Sequence, residues 1–349
     1  MNKIVFTGGG TLGHVMPNLY LIKDLENCKS YYIGSNGIEK QKILENNIKY
    51  YEIPSVKFKR GKVFTNLKIP FILASAINKA KKYLKEIKPD IVFSKGGYVS
   101  LPVCLAARKL KIPIISHESD YSFGLANKII LKLCNKMCVN FKNLEKDNNK
   151  IIYTGPIFST DFESKKINKS GLNLSDNKPI ILICCGSLGS KKINECLFNI
   201  IVNLEKNFNI IHIVGKGNKE VDSFGNYNVF ESCNDMCKLY NISDFVIGRA
   251  GAGVTAESYF KNLPMLLIPL QNKASRGDQV LNAEYYKNLG VAHIVKEDEL
   301  SANKLFKEIE KFYKNIQIYK EKYKKVPKVN GKEKVLELIK TYLNKNKME

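Results

Sequence analysis

The stretch KIVFTGGGTLG, from Lys3 to Gly13, decides the fold of this chain. Its apolar and β-branched residues up to Thr7 are typical of a buried strand, and a glycine loop follows at once. We expect the next element to be a helix, from about Met16 to Asn27. A strand, a glycine loop and a helix in this order begin a doubly wound α/β sheet.

The same alternation of short apolar runs and amphipathic stretches continues along the chain. Further strands are predicted at Ser30–Gly34, Asp90–Ser94, Pro113–His117, Lys136–Asn140, Ile180–Cys184, Ile210–Val214, Phe245–Ile247 and Met265–Ile268. A polar stretch from Ser159 to Lys178 separates two such series. We therefore predict an α/β protein of two Rossmann-like, doubly wound domains, residues 1–158 and 159–326, with a cleft between them and a Lys-rich helical tail at 327–349.

The composition excludes several classes of protein. The 349 residues are 44% hydrophobic and 26% charged, as in an ordinary globular chain. The longest apolar run, Ile69–Ile77, is much shorter than the ~18 residues of a membrane span. Nine cysteines without a C-x-x-C pair, and only four histidines, indicate reduced thiols. A multi-spanning transporter and a disulfide scaffold are thus excluded, and no metal is predicted.

The chain is strongly basic, with 56 Lys and Arg against 33 Asp and Glu and a net charge of +23. The lysines are scattered, and no helix-turn-helix, zinc-finger or aromatic RNA-binding pattern accompanies them, so no nucleic-acid partner is predicted. Two explanations remain open: a solvated Lys-rich surface, or attraction to an anionic membrane or to phosphate-bearing substrates.

The first glycine loop, Gly8–Gly13, formally matches the G-x-G-x-x-G pattern of dinucleotide sites. That pattern also needs an acid at the end of the second strand, which here ends at Ser35; the first acid after it, Glu39, falls in the next predicted helix. The residues therefore favour a general anion site formed by backbone N–H groups and a helix N-terminus. His14, at the helix entrance, is a candidate base or ligand contact, with a structural role as the alternative.

Other loops follow predicted strands in the same way. Glu118 ends a strand and is a second candidate proton acceptor, or else a cap of the next helix together with Asp120. In the second half, Gly186–Ser190 and Gly248–Gly253 are similar to phosphate or nucleotide loops. Glu257, in the following helix, is either a ligand of ribose hydroxyls or a solvated side chain.

Six motifs occur together and in one order. They are TGGGTLGHVMPNLYLI (Thr7–Ile22), KGGYVSLPVCLAA (Lys95–Ala107), IPIISHESDYSFGLANK (Ile112–Lys128), GSLGSKKIN (Gly186–Asn194), GRAGAGVTAE (Gly248–Glu257) and DQVLNA (Asp278–Ala283). This set resembles the MurG family of peptidoglycan synthesis, and the likeness extends from Ile4 to Ala292.

The resemblance implies a GT-B fold and an inverting glycosyl transfer. N-acetylglucosamine (GlcNAc) would pass from UDP-GlcNAc to the 4-hydroxyl of MurNAc in lipid I, the undecaprenyl-diphosphate-linked MurNAc-pentapeptide, giving lipid II and UDP. No cofactor or bound metal is implied. The implied partners are the two substrates, the anionic inner-membrane surface and other proteins of cell-wall synthesis, and the implied location is peripheral, on the cytoplasmic face of the cell membrane.

The resemblance also implies roles for individual residues. The catalytic residues would be His14, as general base, and Glu118. The acceptor-binding residues would be Thr11, Gly13, Gly96, Gly97, Tyr98 and Asp120. The UDP-GlcNAc-binding residues would be Thr11, Gly13, Ser187, Gly189, Arg249, Ala252, Glu257, Asp278 and Gln279, with Asn282 as a support.

The chain departs from the family pattern at several positions. Asp120 stands where many relatives have Asn, and Asp278 where some have Gln or His. The segment that ends Gly155-Pro156-Ile157-Phe158 has Phe158 at the position of an expected Arg that approaches the donor phosphates. The candidate replacements for that cation are Lys191, Lys192 and Arg276.

Two further questions stay open at this point. The run Ile69–Ile77 with Lys79, Lys81 and Lys82 fits docking at a membrane interface, or an ordinary amphipathic helix packed on the sheet. The alternative functions are a non-hydrolysing UDP-GlcNAc 2-epimerase and a catalytically weakened sugar-nucleotide-binding protein of the cell-wall machinery. Phe158 makes the second of these credible.

Overall fold

The computed structural model describes residues 1–56, 67–145, 148–159, 169, 171–233, 235–271, 277–325 and 329–345. The chain divides into two compact units: unit 1 comprises Met1–Phe158 and Val329–Glu349, and unit 2 comprises Ser159–Lys328. Each unit is a parallel sheet covered by helices, as the alternating pattern predicts. The predicted fold of two Rossmann-like domains is confirmed.

Unit 1 is built on a seven-stranded parallel sheet of order β3-β2-β1-β4-β5-β6-β7. Its strands are β1 (Asn2–Thr7), β2 (Cys28–Gly34), β3 (Lys49–Glu52), β4 (Ile91–Ser94), β5 (Ile114–Glu118), β6 (Lys136–Val139) and β7 (Ile151–Tyr153). Its helices are Leu12–Lys23, Ile38–Leu44, Ile69–Ile87, Gly97–Lys109, Leu125–Leu133 and Gly331–Lys345, with a 3-10 turn at Lys142–Leu144.

Successive residues of β1 point into opposite layers of the core. Ile4 and Phe6 pack with the helix Leu12–Lys23, whereas Val5 packs with the helices Ile69–Ile87 and Gly97–Lys109. Since both faces are covered, the strand is apolar throughout rather than alternating.

Unit 2 repeats the plan with a six-stranded parallel sheet of order β10-β9-β8-β11-β12-β13. Its strands are β8 (Ile180–Cys184), β9 (Asn209–Ile213), β10 (Tyr227–Phe230), β11 (Phe245–Gly248), β12 (Met265–Leu267) and β13 (Ala292–Ile294). Its helices are Lys191–Phe198, Ile201–Glu205, Met236–Ile242, Ala252–Phe260, Asp278–Asn288, Ala302–Lys314 and Ile316–Tyr323.

The C-terminal helix Gly331–Lys345 packs on unit 1, whereas the sequence predicts residues 327–349 to be a separate tail after the second domain. Val335 and Ile339 lie in one core cluster with Phe6 of β1. Lys332, only 2% exposed, pairs with Asp24 at the end of the first helix. The apolar face of this helix, hidden among lysines in the sequence, explains its place in the core.

No helix in the described ranges combines the length and the apolar character that crossing a bilayer requires.

Candidate active site

Three loops of unit 1 leave the sheet at neighbouring strands. They follow β1, β4 and β5, which lie side by side. The chain moves from β1 to β2 on one side and from β4 to β5 on the other, so the strand order reverses between β1 and β4. In open α/β sheets a ligand crevice forms at the carboxyl ends of the strands at such a point.

The first two of these loops contact each other. A Cβ placed on Gly10, at φ +81°, would lie 2.8 Å from the Tyr98 hydroxyl. A Cβ on Gly97, also at φ +81°, would lie 3.0 Å from Cε1 of His14. Both positions need glycine, for the left-handed backbone and for space. The structure therefore brings the predicted base next to the predicted acceptor loop.

The other predicted acceptor residues of these loops lie at helix starts. Thr11 is the exposed N-cap residue of the helix Leu12–Lys23, and Gly13 is exposed in its first turn. Gly96 is the N-cap residue of the helix Gly97–Lys109 and has a φ of +83°. The helix that carries His14 begins at Leu12, one turn before the predicted Met16, so His14 also lies in a first turn.

The imidazole of His14 is held by the glycine loop. Its Nδ1 lies 3.0 Å from the carbonyl oxygen of Gly9. Because a carbonyl oxygen only accepts hydrogen bonds, Nδ1 carries the proton and the neutral ring has its lone pair on Nε2. This is the tautomer that a general base acting through Nε2 needs.

Glu39, the acid whose position argued against a dinucleotide site, is completely buried. Its Oε2 accepts the N–H of Gly10 at 3.1 Å, and its Oε1 accepts the N–H of Ser35 at 3.0 Å and the hydroxyl of Ser35. Gly9 and Gly37 leave room for it, because a Cβ on either would collide with the carboxylate. The N–H of Gly10 is therefore directed at Glu39 and not at a ligand.

Glu118 is buried, and both of its oxygens accept hydrogen bonds. Oε1 accepts the N–H of Asp120 at 3.0 Å; Oε2 accepts the N–H of Gly124 at 3.1 Å and the Nδ2–H of Asn127 at 2.8 Å. Gly124 is the N-cap residue of the helix Leu125–Leu133. The carboxylate thus holds the loop after β5 and the start of the next helix. This arrangement agrees with the alternative in which Glu118 caps that helix. Asp120 is partly exposed in this loop.

A lysine is buried beneath the loops. Lys95 is 1% exposed, and its Nζ donates to Nδ1 of His117 at 2.8 Å and to the hydroxyl of Ser119. Burial lowers the pKa of Lys95 to about 8, although Glu118 and Asp120 oppose the shift. Burial and the Lys95 charge hold the pKa of His117 well below its usual value, so His117 is a neutral acceptor.

In unit 2 the loop after β8 is compact. The N–H of Gly189 donates to the carbonyl of Gly186 at 3.1 Å, and a Cβ on Gly189 would collide with the carbonyl of Val214 after β9. Only glycine fits there, at a φ of +67°. Ser187, in the same loop, is partly exposed. Ala252 begins the helix Ala252–Phe260 after β11.

The side chain of Arg249 is engaged by protein groups. It donates to the carbonyl of Ile268 at 3.1 Å and to the hydroxyl of Ser190 at 2.9 Å, and it pairs with Glu297. Arg249 was predicted as a donor-binding residue, and the structure directs its guanidinium at neighbouring loops. These contacts indicate that Arg249 holds the neighbouring loops in place.

Glu257 lies partly buried in the helix Ala252–Phe260. Burial raises its pKa to about 7, and a hydrogen bond from the Tyr240 hydroxyl limits the rise. The carboxyl group is therefore half-ionised near neutral pH. An ionised carboxylate accepts two hydroxyl donors at once, which is what a ribose presents.

The helix Asp278–Asn288 contains the remaining residues that are predicted to bind or support UDP-GlcNAc. Asp278 is its first residue, in a first turn that also contains Gln279. Oε1 of Gln279 accepts the N–H of Leu270 at 3.0 Å, so this side chain supports the loop after β12. Asn282 is completely buried and donates to the carbonyl of Ala250 at 3.1 Å. The predicted supporting role of Asn282 thus extends to the loop after β11.

Phe158 and the candidate replacement cations lie in different surroundings. Phe158 is 2% exposed. Lys191 is exposed at the start of the helix Lys191–Phe198, and Lys192 donates to the carbonyl of Glu297. Arg276 lies outside the described residues. The side chain of Lys191 is 77% exposed, and its Nζ lies 3.8 Å from Oε1 of Glu195.

Comparisons with known proteins place this chain in a family. A sequence model of the glycosyltransferase family 28 N-terminal domain matches residues 4–139, and one of the family 28 C-terminal domain matches residues 180–341. The UDP-N-acetylglucosamine–N-acetylmuramyl-(pentapeptide) pyrophosphoryl-undecaprenol N-acetylglucosamine transferase of Clostridium botulinum (strain Kyoto / Type A2) is 43% identical, over 98% of this chain and 99% of the relative. The chain belongs to this transferase family, the MurG family. The resemblance predicted from six motifs is confirmed, and so is the predicted class of enzyme.

Other relatives and solved structures agree with the MurG assignment. The transferase 2 of Bacillus thuringiensis subsp. konkukian (strain 97-27) is 41% identical over 97% of this chain and 98% of its own. The crystal structure of Acinetobacter baumannii MurG is similar with a TM-score of 0.74 and 27% identity, over 97% of this chain and 99% of that one. The UDP-GlcNAc 2-epimerase of Neisseria meningitidis, at 16% identity and a TM-score of 0.67 over 99% and 100% of the two chains, shares the fold.

Three charged residues that hold the loops of the candidate site were not predicted from the sequence. They are Glu39, Lys95 and Glu297. A signal existed for two of them: Glu39 follows the glycine-flanked turn Gly34–Gly37, and Lys95 stands between a buried strand and a glycine pair. Glu297 follows a three-residue strand in a charged segment and gave no signal.

Proposed function

We propose that this chain transfers GlcNAc from UDP-GlcNAc to the 4-hydroxyl of MurNAc in lipid I, forming lipid II and UDP. The observation that carries the proposal is the 43% identity to the Clostridium botulinum transferase over 98% of the chain. That relative's name states both the donor and the acceptor. The likeness to epimerases, at 16% identity, concerns the fold alone.

Unit 1 is proposed to hold the acceptor and the base. Nε2 of His14 takes the proton of the 4-hydroxyl as that oxygen attacks C1 of GlcNAc, and the bond from C1 to the diphosphate oxygen breaks with inversion at C1. The lone pair on Nε2, set by the bond from Nδ1 to Gly9, supports this role. The acceptor diphosphate is proposed to lie along Thr11, Gly13 and the start of the helix Gly97–Lys109. Glu118 supports this site by holding its own loop.

Unit 2 is proposed to hold UDP-GlcNAc. The diphosphate is assigned to Ser187, Gly189 and the start of the helix Ala252–Phe260, whose positive dipole end stabilises the charge on the departing UDP. Glu257 accepts the ribose hydroxyls, and Asp278 with Gln279 faces the sugar. We assign no metal or cofactor to this step.

Docking on an anionic membrane is proposed for unit 1. Phe71, in the first turn of the helix Ile69–Ile87, is 79% exposed, and Leu67, just before this helix, is 63% exposed. Leu125 is 63% exposed on the helix Leu125–Leu133, and both helices pack against Gly97–Lys109 between them. The exposed lysines of the two helices are Lys79, Lys82, Lys85, Lys128 and Lys132. Apolar side chains beside basic ones suit a bilayer interface with anionic lipids.

The test of the transfer is a reaction of the purified chain with UDP-GlcNAc and a soluble lipid I analogue. UDP release that depends on the acceptor, with a disaccharide product, supports the proposal. UDP-ManNAc formed from UDP-GlcNAc alone would favour the epimerase. Binding of UDP-GlcNAc without UDP release would favour a binding protein.

A further inference from the structure

A single peptide group, between Gly9 and Gly10, is hydrogen-bonded at both ends to side chains. Its carbonyl oxygen accepts from Nδ1 of His14 at 3.0 Å, and its N–H donates to Oε2 of Glu39 at 3.1 Å. The order of groups is therefore carboxylate, peptide, imidazole. In a dyad of His and Asp the carboxylate contacts the ring nitrogen directly, whereas here one amide stands between them.

We propose that Glu39 is a positioning residue for His14, which orients and polarises the imidazole through the Gly9–Gly10 peptide. The inference rests on the proposed function, in which His14 is the base. A negative charge at the N–H end of an amide increases the electron density on its oxygen, because hydrogen bonds in a chain polarise one another. The oxygen of Gly9 then binds the Nδ1–H more strongly and stabilises the imidazolium that forms when Nε2 takes a proton.

The surroundings of Glu39 are built for a carboxylate. The side chain is fully buried, and its oxygens accept from Gly10 and twice from Ser35. Within the described ranges, no lysine, arginine or histidine forms an ion pair with it. A buried anion that is hydrogen-bonded but not neutralised by a cation exerts its field on the groups that hold it. One of those groups is the peptide that binds His14.

Other titratable groups also face His14. Tyr98, on the helix Gly97–Lys109, contacts the same loop, and His117 of β5 is neutral because its pKa is well below its usual value. Lys95, after β4, is the nearby cation, and its charge acts on His117. Glu39 is the negative group that is hydrogen-bonded to the peptide holding His14.

The test is Glu39→Gln, which keeps an acceptor for Gly10 and removes the charge. The matched control is Glu45→Gln at the end of the same helix, where the side chain is exposed. We expect the pKa of His14, followed by ¹⁵N NMR of the imidazole, to fall by about one pH unit in Glu39→Gln alone. The acid limb of the kcat profile should move by the same amount, kcat should fall about 10-fold, and the KM for UDP-GlcNAc should stay within about 2-fold.

A double-mutant cycle separates this role from a merely structural one. In a His14→Ala background, Glu39→Gln should change kcat no further, because its effect passes through the imidazole. An unchanged His14 pKa, or a 10-fold kcat loss that persists without His14, overturns the proposal. If wild-type protein releases no UDP, the proposed function fails, while the NMR titration still decides whether Glu39 acts on His14.

A measurement on the unmodified protein covers the case in which Glu39→Gln does not fold. Because coupling is reciprocal, protonation of His14 must perturb the other end of the peptide. The amide ¹⁵N signal of Gly10 should therefore titrate with the midpoint of His14. A Gly10 signal that stays constant while His14 titrates overturns the proposal.

Discussion

The guanidinium of Arg249 and the carboxylate of Glu297 form an ion pair inside unit 2, with side chains only 9% and 14% exposed. Arg249 follows β11, and Glu297 follows β13. Through its bonds to Ile268 and Ser190, Arg249 also reaches the loops after β12 and β8. One buried ion pair therefore cross-links four loops at the carboxyl ends of the strands, where the donor site is proposed.

Glu297→Ala should loosen these loops and leave a buried guanidinium without its partner. We expect the free energy of unfolding to fall by about 3 kcal/mol, as for other broken buried pairs. The affinity for UDP should fall about 10-fold, measured by calorimetry on the folded fraction. Glu299→Ala is the control, since Glu299 pairs with Lys304 on the surface. Wild-type stability and UDP affinity in Glu297→Ala would contradict this role.

Glu257 should make UDP binding depend on pH. Its pKa is raised to about 7 by burial, against a hydrogen bond from Tyr240, so the free site loses carboxylate below neutrality. Ribose hydroxyls donate to the ionised form, and the affinity for UDP should therefore rise between about pH 6 and 8, with a proton released on binding near pH 7. Calorimetry in buffers of different ionisation enthalpy measures that proton. In Glu257→Gln the contribution of the carboxyl group should vanish, and only the titration of the terminal UDP phosphate, at about pH 6, should remain.

The raised pKa of Glu257 should also make the free energy of unfolding depend on pH, in the opposite direction to the affinity for UDP. Between pH 4.5 and about 7 the folded protein keeps a proton that the unfolded chain has lost. The free energy of unfolding should therefore decrease as pH rises through this window. Denaturant titrations of wild type and Glu257→Gln would show it, and parallel pH curves for the two proteins would mean that burial does not raise this pKa.

His14→Ala should lower kcat by about 10²- to 10⁴-fold, the usual contribution of a general base. The KM for UDP-GlcNAc should stay within about 3-fold, because His14 itself is not among the residues proposed to bind the donor. His293→Ala, which removes a partly exposed histidine paired with Glu308, is the control and should retain activity. Comparable losses in kcat and in donor affinity for His14→Ala would assign this histidine a structural role.

The central strands were predictable from the sequence, and the edge strands were not. All of the predicted strands exist, within two residues of their predicted ends. Those missed are β3 and β7 in unit 1 and β10 and β13 in unit 2, which are the outer strands of the two sheets. An outer strand has one neighbour and less burial, so a segment such as Lys49–Glu52 lacks the continuous apolar run that marks a buried strand.

The sequence could indicate those residues of the candidate site that lie in glycine loops and in motifs of a fixed order. The family resemblance implied that His14 and Gly97 both act at the acceptor, and the structure brings them together because their loops follow the neighbouring strands β1 and β4. The partners of buried charges were not predictable, because Glu39 meets Gly10 and Arg249 meets Glu297 through the tertiary fold, 29 and 48 residues apart in sequence. Such pairings depend on packing geometry, which sequence spacing does not encode.

Phe158→Arg tests whether the missing cation belongs at this position. Because Phe158 is 2% exposed, the substitution places a charged guanidinium in a buried site and should lower the free energy of unfolding by about 3 to 5 kcal/mol. The donor KM should not improve. Phe158→Leu, which keeps an apolar side chain, should cost about 1 to 2 kcal/mol and retain activity. Lys191→Ala, by contrast, should raise the donor KM, since Lys191 is an exposed cation beside the Ser187 loop. A stable Phe158→Arg protein with a lower donor KM would show that residue 158 reaches the donor and that Lys191 is not the replacement.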